Sequence, residues 1–250
     1  MCTLIVLRRP QHAWPLLVAG NRDEMPDRPW APPGRHWSDR PEVVAGLDEL
    51  AGGSWMGVND SGLVCVIMNR AGTLGPDPRK RSRGELVLEG LDHGTARSAA
   101  TALSALAPTA YRPFNLLVGD AGDCFWVRND GDRVTVSPIP PGLHMLTSLE
   151  LDDEADPRIR HYLPYFHRAS EPDVEQGDWR DWEKLLGSRD YPPGEARSAA
   201  MCFKLDTGLS TLSSSLIALP GGSRSANTLI WRHTLGPPEK GRFAPVDLAQ

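Results

Sequence analysis

The fold is decided by two stretches near the start of the chain, Met1-Cys2-Thr3-Leu4-Ile5-Val6-Leu7 and Leu16-Leu17-Val18-Ala19-Gly20-Asn21-Arg22-Asp23-Glu24. Both contain apolar runs, and the connection between them, residues 10–15, starts and ends with proline. This pattern predicts a hairpin with strands over residues 2–9 and 16–20. Successive side chains of a strand point to opposite faces, so Cys2 is expected to share a face with Leu4 and Val6, towards a packed layer.

The position of Cys2 directly after Met1 gives it a second property. If Met1 is removed, Cys2 carries both a thiol and a free α-amine, and an α-amine titrates near neutrality with a pKa of about 7.7 to 8.0. A thiol becomes a nucleophile when a base removes its proton. The terminal residue can therefore supply its own base, as in other N-terminal nucleophile arrangements.

Length and composition predict one domain over residues 1–250 with small-molecule partners. The net charge of -5 does not favour general nucleic-acid binding, for which a basic surface is expected. The first apolar run is short and is followed, not preceded, by Arg8 and Arg9, which is unlike a signal peptide. No run reaches the roughly 18 apolar residues of a membrane span, and a cytoplasmic location is expected. The oligomeric state is not predicted.

The remaining cysteines and the histidines give no metal signature. Cys65, Cys124 and Cys202 lie in apolar, strand-like stretches and are interpreted as free thiols of the core. The seven histidines, His233 among them, have no paired spacing typical of a metal site and are interpreted as structural or surface residues. No metal or resident cofactor is predicted.

The order of elements predicts an α+β fold of antiparallel sheets covered by helices. The segment Pro26–Pro41, rich in Pro, Trp and Arg, is expected to be a long ordered loop. Strands at 114–119, 124–128, 133–137 and 143–147 are expected to form one antiparallel meander. The other expected elements are helices at 84–92, 95–106, 156–169 and 178–186, and strands at 199–204, 211–219 and 226–232.

The polar tetrad Asn21–Glu24 follows an apolar strand, and strand ends commonly hold catalytic groups on a rigid scaffold. Near Cys2, Arg22 would lower the thiol pKa, and Asp23 could hold the α-ammonium group by a charge-assisted hydrogen bond. The alternative is a turn with a surface Arg–Glu pair, which would have no chemical role.

An ordered set of motifs identifies a resemblance. The stretches are Cys2–Leu4, Asn21–Glu24, Gly53–Asn59, Ser82–Leu86, Asn115–Asp120, His144–Ser148 and Arg224-Ser225. Together they resemble the NRDE family, whose animal member is called transport and Golgi organisation protein 2. That family is similar to the N-terminal nucleophile hydrolases, in particular to bile-salt hydrolases and penicillin V acylases. The resemblance implies a four-layer αββα sandwich of two antiparallel sheets flanked by helices.

The resemblance also implies a set of catalytic positions, carried over motif by motif: Cys2, Arg22, Asp23, Asn69, Ser148 and Arg224. Cys2 would be the nucleophile. Asn69 would donate to the oxyanion, a contact typically worth about 10²–10³ in rate. Ser148 departs from the pattern, because the hydrolases have a second asparagine there and a serine hydroxyl is shorter.

Two functions follow from the resemblance. The first is an amidohydrolase in which Cys2 attacks the acyl carbon of a linear amide outside the peptide backbone. The second is a non-catalytic trafficking or haem-handling protein on the same fold. In that case haem would be a transported ligand, with Cys2 or a nearby histidine as an iron contact and Trp14, Trp30 and Trp37 as the wall of an apolar pocket.

Overall fold

The predicted hairpin forms the centre of a six-stranded sheet. In the computed structural model, which describes residues 2–222 and 228–249, β1 (Thr3–Arg8) pairs with β2 (Leu16–Glu24). The other strands are β3 (Trp30–Gly34), β4 (Val43–Asp48), β5 (Met56–Asn59), β6 (Val64–Asn69), β7 (Phe114–Gly119), β8 (Cys124–Asn129), β9 (Val134–Pro138), β10 (Gly142–Leu146), β11 (Ser210–Leu219), β12 (Ile230–His233) and β13 (Ala244–Pro245). The α-helices are α1 (Glu85–Leu91), α2 (Ala96–Ser104), α3 (Pro157–Arg168) and α4 (Arg180–Leu186).

Two antiparallel sheets face each other across a shared apolar layer. The first has the strand order β10-β1-β2-β11-β12-β13 and the second runs from β3 to β9 in chain order. Leu4 and Val6 of the first sheet meet Val66 and Met68 of the second in this layer. Helices α1 and α2 cover the outer face of the second sheet, while α3 and α4 cover the first. The predicted four-layer αββα sandwich is confirmed.

The position of strand β10 differs from the prediction. It was expected to extend the meander of β7, β8 and β9, but it pairs with β1 in the other sheet. Pro140 and Pro141 separate β9 from β10, and proline cannot donate a ladder hydrogen bond, which disfavours a hairpin of these two strands. An alternating pattern predicts a strand without naming its partner, so the exchange between sheets was not visible locally.

Two further segments differ from the prediction. The expected loop Pro26–Pro41 contains strand β3, an edge strand in which Pro32 and Pro33 coincide with a shift of register against β4. In the expected strand 199–204, residues 199–203 are buried but form no strand, and Lys204 is exposed. The backbone of this segment is satisfied by other segments, for example by a 2.8 Å bond from Cys202 N–H to the Ser188 carbonyl. The apolar run there therefore indicates that the segment is buried, and it does not show that the segment is a strand.

The three cysteines expected in the core are buried, whereas Cys2 is only partly buried. In α4, Trp182 and Leu186 are buried against the first sheet, as their helical spacing predicted. Within residues 2–222 and 228–249, no helix has the length and apolar character needed to cross a membrane.

Candidate active site

The hairpin register places Cys2 beside Arg22. Thr3 lies opposite Asn21 in the β1–β2 ladder, so one residue further along the same register Cys2 lies opposite Arg22. On the other edge of β2, Arg22 lies opposite Ser213 of β11. Alternation along β2 directs Arg22 to the same face as Val18, which is the layer between the sheets. Cys2 packs against that layer too.

Ser148 follows β10, the strand on the other side of β1. Strand β10 ends at Leu146, which pairs with Leu4, and Ser148 lies in a bend two residues further on. Ser148 is buried, and its Oγ has no hydrogen-bond partner among the described residues. Of the predicted site residues, Cys2 and Arg22 are therefore brought together, and Ser148 is not among the residues that line their pocket.

Cys2 and Arg22 border a pocket between the two sheets. Its lining includes Cys2, Arg22 and Ser213 from the first sheet, and Trp55 and Met68 from the second. Including its open mouth, the pocket has a volume of about 320 Å³.

The thiol of Cys2 is held by the backbone of β2. The Asp23 N–H donates to Sγ at 3.4 Å, and Sγ lies 3.7 Å from the Asp23 carbonyl oxygen. Burial raises the pKa of the Cys2 thiol, and the negative charge of Asp23 raises it further. Arg22 acts in the lowering direction, as expected, but its effect is smaller. The resting group is therefore a neutral thiol that requires a base, and not a preformed thiolate.

The carboxylate of Asp23 points to the opposite face of the sheet, towards α3. It accepts a hydrogen bond from Thr211 Oγ1 at 2.7 Å and forms an ion pair with Arg158 Nη1 at 3.2 Å. Arg158 also donates to Thr3 Oγ1 and to the Ser198 carbonyl. Both charged side chains are almost fully buried. This ion pair connects the start of the hairpin to α3, on the face of the sheet opposite the Cys2 thiol.

Arg158 was missed by sequence reasoning, although a signal was present. The stripe Arg158, Tyr162 and Phe166 repeats at four-residue spacing, and all three side chains are buried. A charged residue inside an otherwise apolar helical stripe requires a buried partner. The helix starts where it does because Asp156 caps it, accepting the Arg158 N–H at 2.8 Å, and Pro157 occupies the first turn.

The other predicted residues are placed differently. Asn69 ends β6 and, by alternation, shares the face of Cys65 and Ile67, whose side chains pack towards α1. Asn69 is not among the residues that line the pocket, and its role as an oxyanion donor stays a prediction. Arg224 lies outside the described residues. Of the three tryptophans expected to form the wall of an apolar pocket, Trp30 contacts the guanidinium of Arg22.

Asn115 of β7 fixes the backbone around Ser148. Its Nδ2 donates to the carbonyls of Thr147 at 3.0 Å and Leu149 at 2.8 Å, the two neighbours of Ser148. Its Oδ1 accepts from Arg70 Nη1 at 2.9 Å. Asn115 is fully buried. A side chain of the second sheet thus holds the segment that follows β10 of the first sheet.

Replacing Asn115 with leucine, which is close in size, is expected to destabilise the protein by about 2 kcal/mol. The change leaves the buried Thr147 carbonyl and the indole N–H of Trp126, which donates to Oδ1 at 3.2 Å, without their partner. The Leu149 carbonyl keeps only its hydrogen bond from Arg70 Nη1 at 3.3 Å. Urea unfolding followed by circular dichroism measures the loss. Leu116 faces the outer helices in the same strand, so Leu116→Met, a volume-conserving change, is the matched control. A loss of unfolding free energy in Leu116→Met that exceeds the loss in Asn115→Leu would contradict the assignment of Asn115 as the residue that holds the backbone around Ser148.

His144 of β10 makes stability depend on pH. Its Nδ1 lies 2.6 Å from Asp152 Oδ2, and this hydrogen bond raises the His144 pKa above its ordinary value. A raised folded-state pKa stabilises the protein fully below the unfolded value of about 6.5, and the contribution is lost as pH rises through the folded pKa. We expect His144→Gln to lower the free energy of unfolding by at most about 1 kcal/mol near pH 5.5, and by less near pH 9. Unfolding at both pH values checks this; a deficit that grows with pH would contradict it.

Within residues 2–222 and 228–249, no group of three or more His, Cys, Asp or Glu side chains is placed to hold a metal ion. The groups that the site offers are a thiol, a guanidinium, a hydroxyl and backbone N–H donors. These groups suit nucleophilic attack on a carbonyl and the stabilisation of a developing negative charge.

Comparison with known proteins gives one family and a set of similar folds. The model of the family described as Transport and Golgi organisation 2 matches residues 1–208. No curated protein matches the chain. Among solved structures, the Caenorhabditis elegans N-acylethanolamine-hydrolyzing acid amidase ortholog has a TM-score of 0.60 at 13% identity, covering 98% of this chain and 100% of that one.

Two bacterial structures are similar over nearly the same extent. Penicillin V acylase from Agrobacterium tumefaciens has a TM-score of 0.54 at 16% identity, covering 94% of this chain and 83% of that one. A variant of conjugated bile acid hydrolase from Clostridium perfringens has a TM-score of 0.57 at 12% identity, covering 99% of this chain and 92% of that one. At these identities the likeness establishes the N-terminal nucleophile hydrolase-like fold.

Proposed function

The chain belongs to the Transport and Golgi organisation 2 family, and from this premise we propose that it is an N-terminal cysteine amidohydrolase acting on a linear, non-peptide amide. The observation that carries the proposal is the placement of Cys2 beside Arg22 at the pocket between the sheets. It sets a partly exposed thiol next to a cation. The solved structures with a similar fold include an acid amidase ortholog and a penicillin V acylase, which supports the proposed amidohydrolase function.

The mechanism begins with removal of Met1, which frees the α-amine of Cys2. The amine takes the thiol proton as Sγ attacks the acyl carbon, because the thiol is neutral at rest. The carbonyl oxygen becomes an oxyanion, for which Asn69, Ser148 and backbone N–H groups are the candidate donors. The α-ammonium then passes its proton to the leaving nitrogen, and the C–N bond breaks to give a thioester. Water, deprotonated by the α-amine, hydrolyses the thioester and restores the thiol.

Arg22 and Asp23 have separate parts in this scheme. Arg22 lies on the face of the thiol and favours negative charge on sulfur as the proton leaves. Asp23 supplies its N–H to Sγ, while its carboxylate lies on the far face with Arg158 and positions the strand. The role first expected for that carboxylate, holding the α-ammonium, stays a prediction.

A substrate screen tests the proposal. Purified protein is incubated with an N-acylethanolamine, phenoxymethylpenicillin, a conjugated bile acid and a dipeptide, and free amine is measured. We expect hydrolysis of at least one linear amide and none of the dipeptide. Protein from which Met1 has been removed, yet which cleaves no amide, would overturn the proposal.

The haem-handling alternative requires a different result. In that case haem added to the protein gives a shifted absorption band with a defined stoichiometry, and Cys2→Ala changes the band if the thiol contacts iron. An unchanged haem spectrum counts against this alternative and leaves the amidohydrolase proposal standing.

A further inference from the structure

The guanidinium of Arg22 lies in a corner formed by two indoles. Its central carbon lies 4.1 Å from the ring centroid of Trp55 and 5.3 Å from that of Trp30. The two rings meet edge to face, with an interplanar angle of 79° and centroids 5.7 Å apart. A cation over an aromatic face is attracted by the ring, and the attraction is stronger where water is excluded. Arg22 is only 6% exposed, so both rings act on a largely desolvated charge.

The guanidinium of Arg22 has few polar contacts that could fix its position. Its Nη1 is buried and has no hydrogen-bond partner among residues 2–222 and 228–249. Within the same residues no carboxylate lies at ion-pair distance, and the charges of Glu24 and Asp48 act on Arg22 only from further away. The position of the guanidinium therefore depends on its packing against the two indoles, of which Trp55 is the nearer.

Trp55 is itself held by the second sheet. Its carbonyl accepts the Ile67 N–H of β6 at 2.9 Å, which fixes the backbone just before β5. Its indole lies against Gly46 of β4, where a Cβ atom would come within 2.3 Å of two ring carbons. A strand glycine often marks such a close approach, because any other residue would displace the neighbouring group. The backbone of β4 thus supports the indole that contacts Arg22.

Trp55, Arg22 and Cys2 line the same pocket between the sheets. Burial and the charge of Asp23 raise the pKa of the Cys2 thiol, and the positive charge of Arg22 acts in the opposite direction. Two further charged groups act on the thiol, the terminal amine and Arg83, which precedes α1. The place of the Arg22 guanidinium therefore affects how readily the thiol loses its proton.

We propose that Trp55 is a positioning residue of the Cys2 site, whose indole keeps the Arg22 guanidinium beside the thiol. Without the ring, the guanidinium is free to turn towards water, which solvates it better, and its charge then acts less on the sulfur. Phenylalanine keeps a smaller aromatic face for the cation, whereas leucine keeps apolar volume alone. The effect on turnover rests on the proposed function, but the effect on the thiol does not.

The rate at which iodoacetamide alkylates Cys2, followed over a range of pH by mass spectrometry of the N-terminal peptide, tests the proposal independently of turnover. We expect Trp55→Leu to raise the thiol pKa and to slow alkylation near neutral pH by about threefold to tenfold, because the thiolate is the reactive form. Trp55→Phe recovers at least half of this loss. Gly46→Ala, which displaces the indole without removing it, slows alkylation in the same direction.

Trp126→Leu is the matched control. Trp126 is a half-buried tryptophan of the same sheet, it lies 5.8 Å from the guanidinium carbon of Arg128, and it does not line the pocket. Its replacement therefore removes an indole and a cation contact of the same kind without touching Arg22. We expect the alkylation of Cys2 to keep its rate and its pH dependence in this variant.

An unchanged thiol pKa in folded Trp55→Leu would overturn the positioning role, as would an equal shift in Trp126→Leu. If Trp55→Leu does not fold, Trp55→Phe and Gly46→Ala decide the question, since an unchanged pKa in both also overturns it. Hydrolysis by the unmodified protein is measured in parallel. A raised thiol pKa in Trp55→Leu, without hydrolysis of any amide by the unmodified protein, keeps the positioning role and overturns the amidohydrolase proposal. Hydrolysis by the unmodified protein, with an unchanged thiol pKa in Trp55→Leu, does the reverse.

Discussion

Cys2→Ala is expected to lower the rate of amide hydrolysis by at least about 10⁴-fold, because removal of a covalent nucleophile leaves only the contributions of substrate binding and oxyanion stabilisation. The side chain is partly exposed and loses one atom, so the fold should be retained. The measurement is a time course of free amine from the best substrate of the screen, with melting followed by circular dichroism.

Cys202→Ala is the matched control, since Cys202 is also a free thiol but lies buried outside the pocket. It is expected to hydrolyse the amide within about threefold of the unmodified protein, because core changes of this size affect stability more than chemistry. Full activity of Cys2→Ala would contradict the assignment of the nucleophile. Equal losses of activity in Cys2→Ala and Cys202→Ala would indicate that the loss comes from impaired folding and not from removal of the nucleophile.

Arg158→Met is expected to destabilise the protein by about 3–5 kcal/mol, the usual cost of removing one partner of a buried ion pair. The Asp23 carboxylate would lose its cationic partner, and Thr3 and the Ser198 carbonyl would each lose a donor. Methionine fills a similar apolar volume, so the loss reports mainly on charge and hydrogen bonding. Urea unfolding gives the difference in free energy.

Arg160→Met provides the control on the same helix. Arg160 pairs with Glu195 at 2.7 Å, but both side chains are substantially exposed, and such pairs contribute about 0–1 kcal/mol. A loss below about 1 kcal/mol for Arg158→Met, or a loss equal to that of Arg160→Met, would contradict the account of Arg158 as the buried support of the hairpin.

The hairpin and the position of Cys2 were predictable because they depend on local alternation. Cys2, Leu4 and Val6 alternate with Thr3 and Ile5, and the structure places the first set between the sheets. The same rule separates Arg22 from Asp23, since neighbours on a strand cannot share a face. The sequence analysis assigns both side chains a role at Cys2, and the structure sets them on opposite faces of the sheet.

The rest of the site depends on contacts between distant segments. The pairing of β1 with β10, which sets the segment before Ser148 next to the hairpin, joins residues about 140 positions apart. Nothing in the local sequence around Gly142–Leu146 distinguishes a partner in one sheet from a partner in the other. The contact of His233 with Trp30 likewise exists only in the folded chain, because it joins residues about 200 positions apart.

The central claim is that Cys2 becomes the terminal residue and carries the acyl group. Mass spectrometry of the protein, acid-quenched during turnover of the best substrate and then digested, tests this most directly. The account predicts an N-terminal peptide that begins at Cys2 and gains the mass of the acyl group at its thiol, and predicts no such adduct in Cys2→Ala. A protein that retains Met1 and still hydrolyses the amide, with no adduct on Cys2, would contradict it.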